Sequence, residues 1–447
     1  MNLENLKNKK VLILGLGKEG RDNLVFLRKF FPKKIIRVGD WLELRDLSKE
    51  TRKLLKSDKR MKLYLGKDYL KSLKEYDIIL KSPGVPFNLI ELKEAEKGGV
   101  VVTSQTEIFL ENCPGKIVGI TGTKGKSTTT SLIYTILKEA GFKAHLVGNI
   151  GKPVLGSLLK AKEDDVYVYE MSSHQLANIS KGPQIAVFLN VFPEHLDYYR
   201  NFKEYVQAKE NIVRFQTNKD HLVFNGKDEI VKSIAKKSKA KKVDFNSIKL
   251  RSIINPKQIP LKGEFNLQNV KAALAVGKIF GLSDKVMAKA VKNFKPLAHR
   301  LEFIGEYRGI KFYNDALSTI PETAMAAIEA LGEDVQTIML GGFERNLSFK
   351  KLAKAVLKSK IETVILFPTT GQRIWEEIKK EAKGKIPKHF LVDNMKEAVK
   401  IAYQETKKGR ICLLSTASSS FSIFKDYKEK GNLFKKHVKE IGCKQKT

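Results

Sequence analysis

The 447-residue sequence predicts an α/β protein of three units, each built on a mainly parallel sheet. Three observations carry that prediction. Short apolar runs alternate with helix-patterned stretches along the chain; two glycine-rich turns, GLGKEG and GTKGKST, each lead from a strand-like run into a helix-like one; and the length suits about three domains of ordinary size, each burying its own core.

Residues 1–113 form the first expected unit, with VLILG, KIIRVGD, YDIILKSPG and GVVVTSQ as strands and RDNLVFLRKFF as a helix. GLGKEG sets Gly15, Gly17 and Gly20 in G-x-G-x-x-G spacing between strand and helix, and Asp40 closes the next strand-like run twenty residues on. Such glycines let the backbone turn tightly and approach a pyrophosphate held at the helix N-terminus. Taken alone the motif names a dinucleotide, so an NAD(P)-dependent dehydrogenase is one reading. The same architecture accepts any nucleotide diphosphate, a UDP-sugar included, and the blandest alternative is a simple tight turn.

NCPGK at 112–116 punctuates the chain, and KIVGI opens a second sheet over residues 114–297 that continues in DDVYVYEM, IAVFLNV, HLVFN and KKVDFN. VGITGTKGKSTTT departs from the usual phosphate loop, because Ile120 stands where a glycine five residues before the Gly-Lys pair is expected. The physical core survives: Gly122 and Gly125 free backbone N–H groups to face an anion, Thr123 and Lys124 complete the turn, Lys126 brings a mobile charge, and Ser127 and Thr128 open a helix with hydroxyls. A phosphate-carrying ligand follows.

Mg²⁺ on such a ligand prefers a loop hydroxyl and one carboxylate at a strand end, the place Glu170 takes at the close of DDVYVYE. Ser172, Ser173 and Gln175 follow as candidate substrate donors. His195, in NVFPEHLDYY, falls at the sheet edge where ligands gather, although a histidine there is commonly structural. Lys209, in FKEYVQAKENIVRF, reads by itself as a surface lysine. KKSKAKKV (236–243) reads as a charged loop or helix end.

The third unit, 298–447, begins near LAHRLEF and holds VQTIMLGG, ETVILFP, KHFLV and RICLLST, with the helical MKEAVKIAYQET among them. Arg300 and Asp315 straddle its start. They would either clamp a nucleotide at a domain joint or form one routine ion pair.

Eighty-three Lys+Arg against 49 Asp+Glu give a formal net charge of +34. The lysines are spread through almost every segment, mostly between apolar positions, and no basic motif interleaved with aromatics occurs, so a nucleic-acid role is not expected. Three scattered cysteines make neither a disulfide framework nor a metal cluster. MNLENLKNKK runs straight into a strand and no run approaches eighteen apolar residues, so a soluble, cytoplasmic protein without stable membrane insertion is expected.

GLGKEG, SPGVP (82–86), GTKGKST, GNIG (148–151), EMSSHQL, NVFPEHLDYY followed by QAKENI, GEFNLQN, AHRLE, NDALST, GGFERN and LLSTASSSFSIFKDYKEKG, in this order, resemble the Mur ligase family over essentially the whole chain. The resemblance explains the unusual phosphate loop, whose family form is Gly-Thr-x-Gly-Lys-Ser/Thr. It implies a Rossmann-like UDP-binding domain, a central P-loop ATPase-like domain and a Rossmann-like C-terminal domain. It also implies that ATP activates a carboxylate as an acyl phosphate for attack by an amine. The branch it most resembles joins D-glutamate to UDP-MurNAc-L-Ala in peptidoglycan precursor synthesis. A sister ligase adding another amino acid, a folylpolyglutamate synthase and, more distantly, the dehydrogenase stand as alternatives.

By position, the resemblance assigns Lys126 to the transferring phosphoryl group, Ser127 and Glu170 to a first Mg²⁺, and His195 and Lys209 to a second. Lys209 would carry a CO₂-derived carbamate, which turns a repelling ammonium into an oxygen ligand. Asn269, Arg300 and Asp315 would hold the nucleotide. Gly15, Gly17, Gly20, Asp40, Ser82, Pro83, Gly84, Asn149, Ser172 and Gln175 would receive the UDP substrate, and Thr319, Arg345, Ser420 and Tyr427 the D-glutamate. Four positions depart from the family pattern: Leu317 and Arg345 replace lysines, Tyr427 a common phenylalanine, and Ser422 a frequent acidic residue. A monomer is the family expectation.

Overall fold

A computed structural model describes residues 3–86, 88–194 and 198–443. Strands β1 (Val11–Leu14), β2 (Ile36–Asp40), β3 (Met61–Leu65), β4 (Ile78–Lys81) and β5 (Val101–Thr103) form a parallel sheet in the order β3-β2-β1-β4-β5. VLIL and IILK are buried along their whole length, as strands covered on both faces must be. Strand β3 was not anticipated; its MKLYL is half exposed at the sheet edge and lacks a continuous apolar run.

A second parallel sheet contains β6 (Lys116–Thr121), β7 (Lys143–Gly148), β8 (Asp165–Glu170), β9 (Ile185–Phe188), β10 (His221–Phe224) and β11 (Lys241–Asp244), ordered β11-β10-β9-β6-β8-β7. The edge strand β7 was likewise missed, because Lys143 and His145 interrupt its apolar pattern. The lysine-rich stretch from 236 divides into a helix end at Lys237 and the start of β11 at Lys241.

A third sheet takes β12 (Glu302–Tyr307), β13 (Ile310–Asn314), β14 (Val335–Gly341), β15 (Thr363–Phe367), β16 (Lys388–Leu391) and β17 (Ile411–Leu414) in the order β12-β13-β17-β14-β15-β16. It is parallel except for the hairpin β12–β13. That hairpin turns on Arg308 and Gly309, both at positive φ (52° and 79°), the geometry that matches the twist of paired strands.

The chain divides into two compact units, Met1–Pro256 with Gln268–Lys292, and Lys257–Leu267 with Asn293–Thr447. The first holds both N-terminal sheets. They share the helix Gln105–Asn112, which presents Ile108 to the core of the first sheet and Phe109 and Leu110 to that of the second. Phe109 meets Tyr167 and Tyr169 edge to face, with ring centroids 5.1 and 5.9 Å away. Among the described residues no helix is long and apolar enough to cross a membrane.

Phe109→Ala removes a fully buried ring at this shared helix. A loss of about 3–5 kcal/mol is expected, read as a lower Tm by scanning calorimetry, with Phe109→Leu recovering most of it.

Candidate functional site

The second sheet reverses its strand order beside β6, whose neighbours are β8 and β9, and crevices form at such a reversal beyond the strand ends. Strand β6 delivers the loop Gly122–Gly125, and the helix Lys126–Glu139 starts directly after it. Gly125 adopts φ 85°, and a Cβ there would lie 2.3 Å from Asn269 Oδ1, so both backbone and space demand glycine. Asn269 in turn accepts from Thr129 Oγ1 at 3.2 Å. The helix N-cap has no side-chain bond, which leaves its first N–H groups directed at the loop mouth.

The segment after β9 pins the loop. Thr123 N donates to Asn190 O (2.9 Å), Lys124 N to Asn190 Oδ1 (2.8 Å), and Asn190 Nδ2 to Lys124 O (3.0 Å). The helix Phe202–Arg214 pins it from another side, its Tyr205 hydroxyl 3.0 Å from Thr123 Oγ1. Lys209, one helical turn on, donates to Gly122 O at 2.9 Å, the carbonyl that also accepts from Lys126 Nζ at 2.8 Å. Lys126 Nζ donates to Thr123 O as well (2.9 Å), and Lys124 pairs with Glu194 at 2.6 Å.

Lys209 is therefore no surface lysine: it is 1% exposed, with its Nζ 4.7 Å from the Tyr205 ring centre. Burial, reinforced by the charge of Lys126, holds its ammonium well below the usual lysine range, and Glu194 and Glu170 only partly oppose this. In the sequence, Tyr205, Ala208, Lys209 and Ile212 already share one helical face, and that register was the readable sign of burial.

Glu170 ends β8 in register with Ile120, beside the start of the loop. It is 4% exposed, and its Oε2 has no hydrogen-bond partner among the described residues. A buried carboxylate oxygen without a donor suits a cation. Among the described residues no group of three His, Cys, Asp or Glu side chains clusters for a metal. His195 lies outside the described residues.

The first sheet reverses between β1 and β4, where the second glycine loop sits. Gly15 N donates to Gly39 O (2.7 Å), and Ser82 Oγ to Gly15 O (2.7 Å). A Cβ on Gly20 would lie 1.9 Å from Gly15 O, so the helix Lys18–Phe30 can approach the loop only with glycine there. Gly17 caps that helix without a side-chain bond. Asp40 accepts from Leu16 N (2.5 Å) and Leu42 N (2.9 Å), which commits both its oxygens to the backbone. Pro83 O accepts from the Tyr198 hydroxyl at 3.4 Å, and Gly84 is exposed in the same turn.

Asn149 N donates to Glu170 O (3.2 Å), and Lys18 Nζ to Gly151 O (3.0 Å), so the GNIG turn touches the end of β8 and the start of the GLGKEG helix. Ser172 and Gln175 spend their polar atoms on each other in a capping box, and Gln175 Nε2 donates to Glu19 Oε1 at 2.6 Å. They thereby brace the GLGKEG helix. The sequence reading missed Glu19, a polar residue inside a motif read only for its glycines. An 810 Å³ cleft lined by Val213, Phe215, Gln216, Ile234 and Lys237 contains none of these groups.

In the second unit, His299 and Leu301 flank Arg300 with φ of 65° and 46°, a left-handed backbone that residues other than glycine rarely adopt. Asp315 accepts from Ser415 Oγ (2.8 Å) and Leu301 N (3.1 Å). Surrounding protein pushes its carboxyl up to about 7, against the pull of those bonds, Arg300 and Lys430. Lys430, 1% exposed, donates to Thr416 Oγ1 at 2.6 Å, and burial brings its ammonium down to about 7. Ser420 is buried with its Oγ unpartnered among the described residues. Thr319 and Tyr427 are half-buried and Arg345 is exposed.

A phosphate loop at a strand-order reversal, with the buried Lys209 and a buried carboxylate oxygen of Glu170 without a partner among the described residues beside it, defines a P-loop α/β enzyme that handles a phosphorylated nucleotide. Residues 120–253 match the Mur ligase middle domain, and residues 299–418 the Mur ligase glutamate ligase domain. The chain is 33% identical to the UDP-N-acetylmuramoylalanine--D-glutamate ligase of Acetivibrio thermocellus, over 98% of this chain and 97% of that one. It is 32% identical to the ligase of the same name from Clostridium botulinum (strain 657 / Type Ba4), over 98% of each. In fold it is similar to the UDP-N-acetylmuramate-alanine ligase MurC of Thermotoga maritima (TM-score 0.59, 17% identity, 97% of this chain and 100% of that one). It is equally similar to the MurF ligase of Thermotoga maritima in complex with ADP (TM-score 0.59, 18% identity, 99% and 97%). The chain belongs to the Mur ligase family, and it is a ligase.

The site carries a pH dependence at Glu19, whose carboxyl burial raises to about 7 against the pull of the Gln175 bond. The folded protein then holds a proton that the unfolded chain releases near pH 4.5, so this group's contribution to stability is present below that pH and is lost as pH rises to about 7. Between pH 5 and 7.5, Tm is expected to fall more steeply in the parent protein than in Glu19→Gln, measured by calorimetry across that range.

Proposed function

We propose that this ligase forms an amide between D-glutamate and UDP-N-acetylmuramoyl-L-alanine, with ATP converted to ADP and phosphate, in cytoplasmic peptidoglycan precursor synthesis. The observation that carries the reading is similarity to D-glutamate ligases along 98% of the chain. The three modules are residues 1–113 for the UDP substrate, 114–297 for ATP and 298–447 for the amino acid, working as a monomer without nucleic acid.

The chemistry needs a better leaving group than hydroxide on the L-alanyl carboxylate. A carboxylate oxygen attacks the γ-phosphorus, ADP departs, the D-glutamate amine attacks the resulting acyl carbon, and phosphate leaves as the amine loses its proton. Backbone N–H groups of Gly122–Gly125 and the helix start at Lys126, Ser127 and Thr128 cradle the phosphates, while Thr123 and Lys124 hold the loop's shape. Lys126 leaves its loop carbonyls for the transferring phosphoryl group. Asn269, Arg300 and Asp315 hold the rest of the nucleotide.

Ser127 and Glu170 suit one Mg²⁺, and His195 and Lys209 a second. Bound Mg²⁺ neutralises the phosphate charge that develops during transfer. Lys209 is prepared for CO₂ by its burial, since only the neutral amine adds CO₂, releasing one proton and leaving a carbamate anion. Gly15, Gly17 and Gly20 receive the diphosphate, Asp40 shapes the turn beside the uridine, and Ser82, Pro83, Gly84 and Asn149 lie toward the sugar. Ser172 and Gln175 brace that loop through Glu19. Thr319, Arg345, Ser420 and Tyr427 take the two D-glutamate carboxylates.

Phosphate release from Mg-ATP with UDP-MurNAc-L-Ala is expected to depend on D-glutamate and not on L-alanine, L-lysine or diaminopimelate, with the matching mass gain in the product. Turnover with another amino acid would retain a ligase of this family and move the error to Leu317, Arg345 and Ser422. Lys209→Ala is expected to lose at least ~10²-fold in kcat, as removal of a group acting on transition-state charge does. Formate or acetate is expected to restore part of it, and a rate unmoved by either would contradict the carbamate.

A further inference from the structure

Asp40 stands where a Rossmann-type loop meets the nucleoside, yet both its carboxylate oxygens accept backbone N–H groups, from Leu16 and Leu42. Its work is to fold the turn after β2. That turn carries Trp41, 69% exposed and the most solvent-open aromatic side chain among the large exposed apolar residues described. Indoles are usually well covered, because an exposed one leaves a large apolar face in water. Trp41 emerges at the C-terminal end of β2, where ligands of parallel sheets gather. The preceding strand end is bonded directly to the diphosphate loop, Gly15 N to Gly39 O at 2.7 Å.

We propose that Trp41 is the platform on which the uracil base of the nucleotide-sugar substrate stacks. This rests on the reading of the Gly15–Gly20 loop as the UDP site and adds a residue that reads the base face. Asp40 contributes by anchoring the turn: with Leu16 N and Leu42 N on one carboxylate, the chain direction on either side of Trp41 is fixed, and the indole needs little ordering on binding. Every base offers a π-face, so the stack supplies affinity and orientation rather than base identity.

The chain has two tryptophans, and the other, Trp375, is 5% exposed and stacked on His389 at 4.0 Å. Iodide therefore reports on Trp41 in the unmodified protein. UDP is expected to quench the iodide-accessible emission saturably and to shield it from iodide. Trp41→Ala is expected to raise the calorimetric Kd for UDP about tenfold, and Trp41→Phe less, the size of one lost base–aromatic stack. The same Trp41→Ala change would raise KM for the UDP substrate and leave kcat within about twofold, a split that a general structural defect would not produce. UDP binding in the calorimeter with neither a change in emission nor a loss in Trp41→Ala would overturn the stack and keep the UDP site. No UDP binding to the unmodified protein would overturn both.

Discussion

One backbone carbonyl organises the centre of this protein. Gly122 O receives the amines of both Lys126 and Lys209, and Lys124 stands two residues along the same loop. Burial first, and the charge of Lys126 second, hold the Lys209 amine well below the usual lysine range. Glu194 balances Lys124, but Glu170 keeps a buried oxygen without a donor. A buried carboxylate oxygen without a donor is costly, since a desolvated charge keeps its full penalty until something meets it.

That geometry is held by few contacts, and they come from different elements. Asn190 reproduces strand-like pairing with Lys124 through its side-chain amide, and one helix contributes both Tyr205 and Lys209. The first sheet joins through Glu19 and Gln175, which run from the glycine loop to the turn two residues beyond Glu170. Sites assembled on strand ends and braced from behind lose little entropy when substrate orders them.

Most of this was legible in the sequence because strand-to-helix glycine turns and continuous apolar runs are local signals. GTKGKST and GLGKEG stand where the spacing put them, and the buried strands β1, β6 and β15 have the apolar runs that name them. Edge strands β3 and β7 escaped, since exposure lets lysine and histidine break the pattern. Lys209 escaped as a buried residue because composition rules treat lysine as surface, and only its partners reverse that. The positive φ angles at His299 and Leu301 have no glycine to announce them.

The amino-acid end is where sequence and structure pull least strongly together, and a charge argument narrows it. Against the pattern the resemblance implies, Leu317 removes one cation and Ser422 removes one anion, so these two exchanges offset each other in formal charge. Arg345 keeps its charge but offers a planar fork in place of a point ammonium, a donor set suited to gripping a carboxylate by two oxygens. Ser420 and Ser422 both have Oγ atoms without partners among the described residues, and a buried hydroxyl left unpaired costs about 1–3 kcal/mol until a ligand oxygen meets it. Under the proposed function, these exchanges and hydroxyls would suit an anionic ligand. A ligand with an added ammonium, as in a diamino acid, would find no carboxylate introduced at the four exchanged positions to receive it.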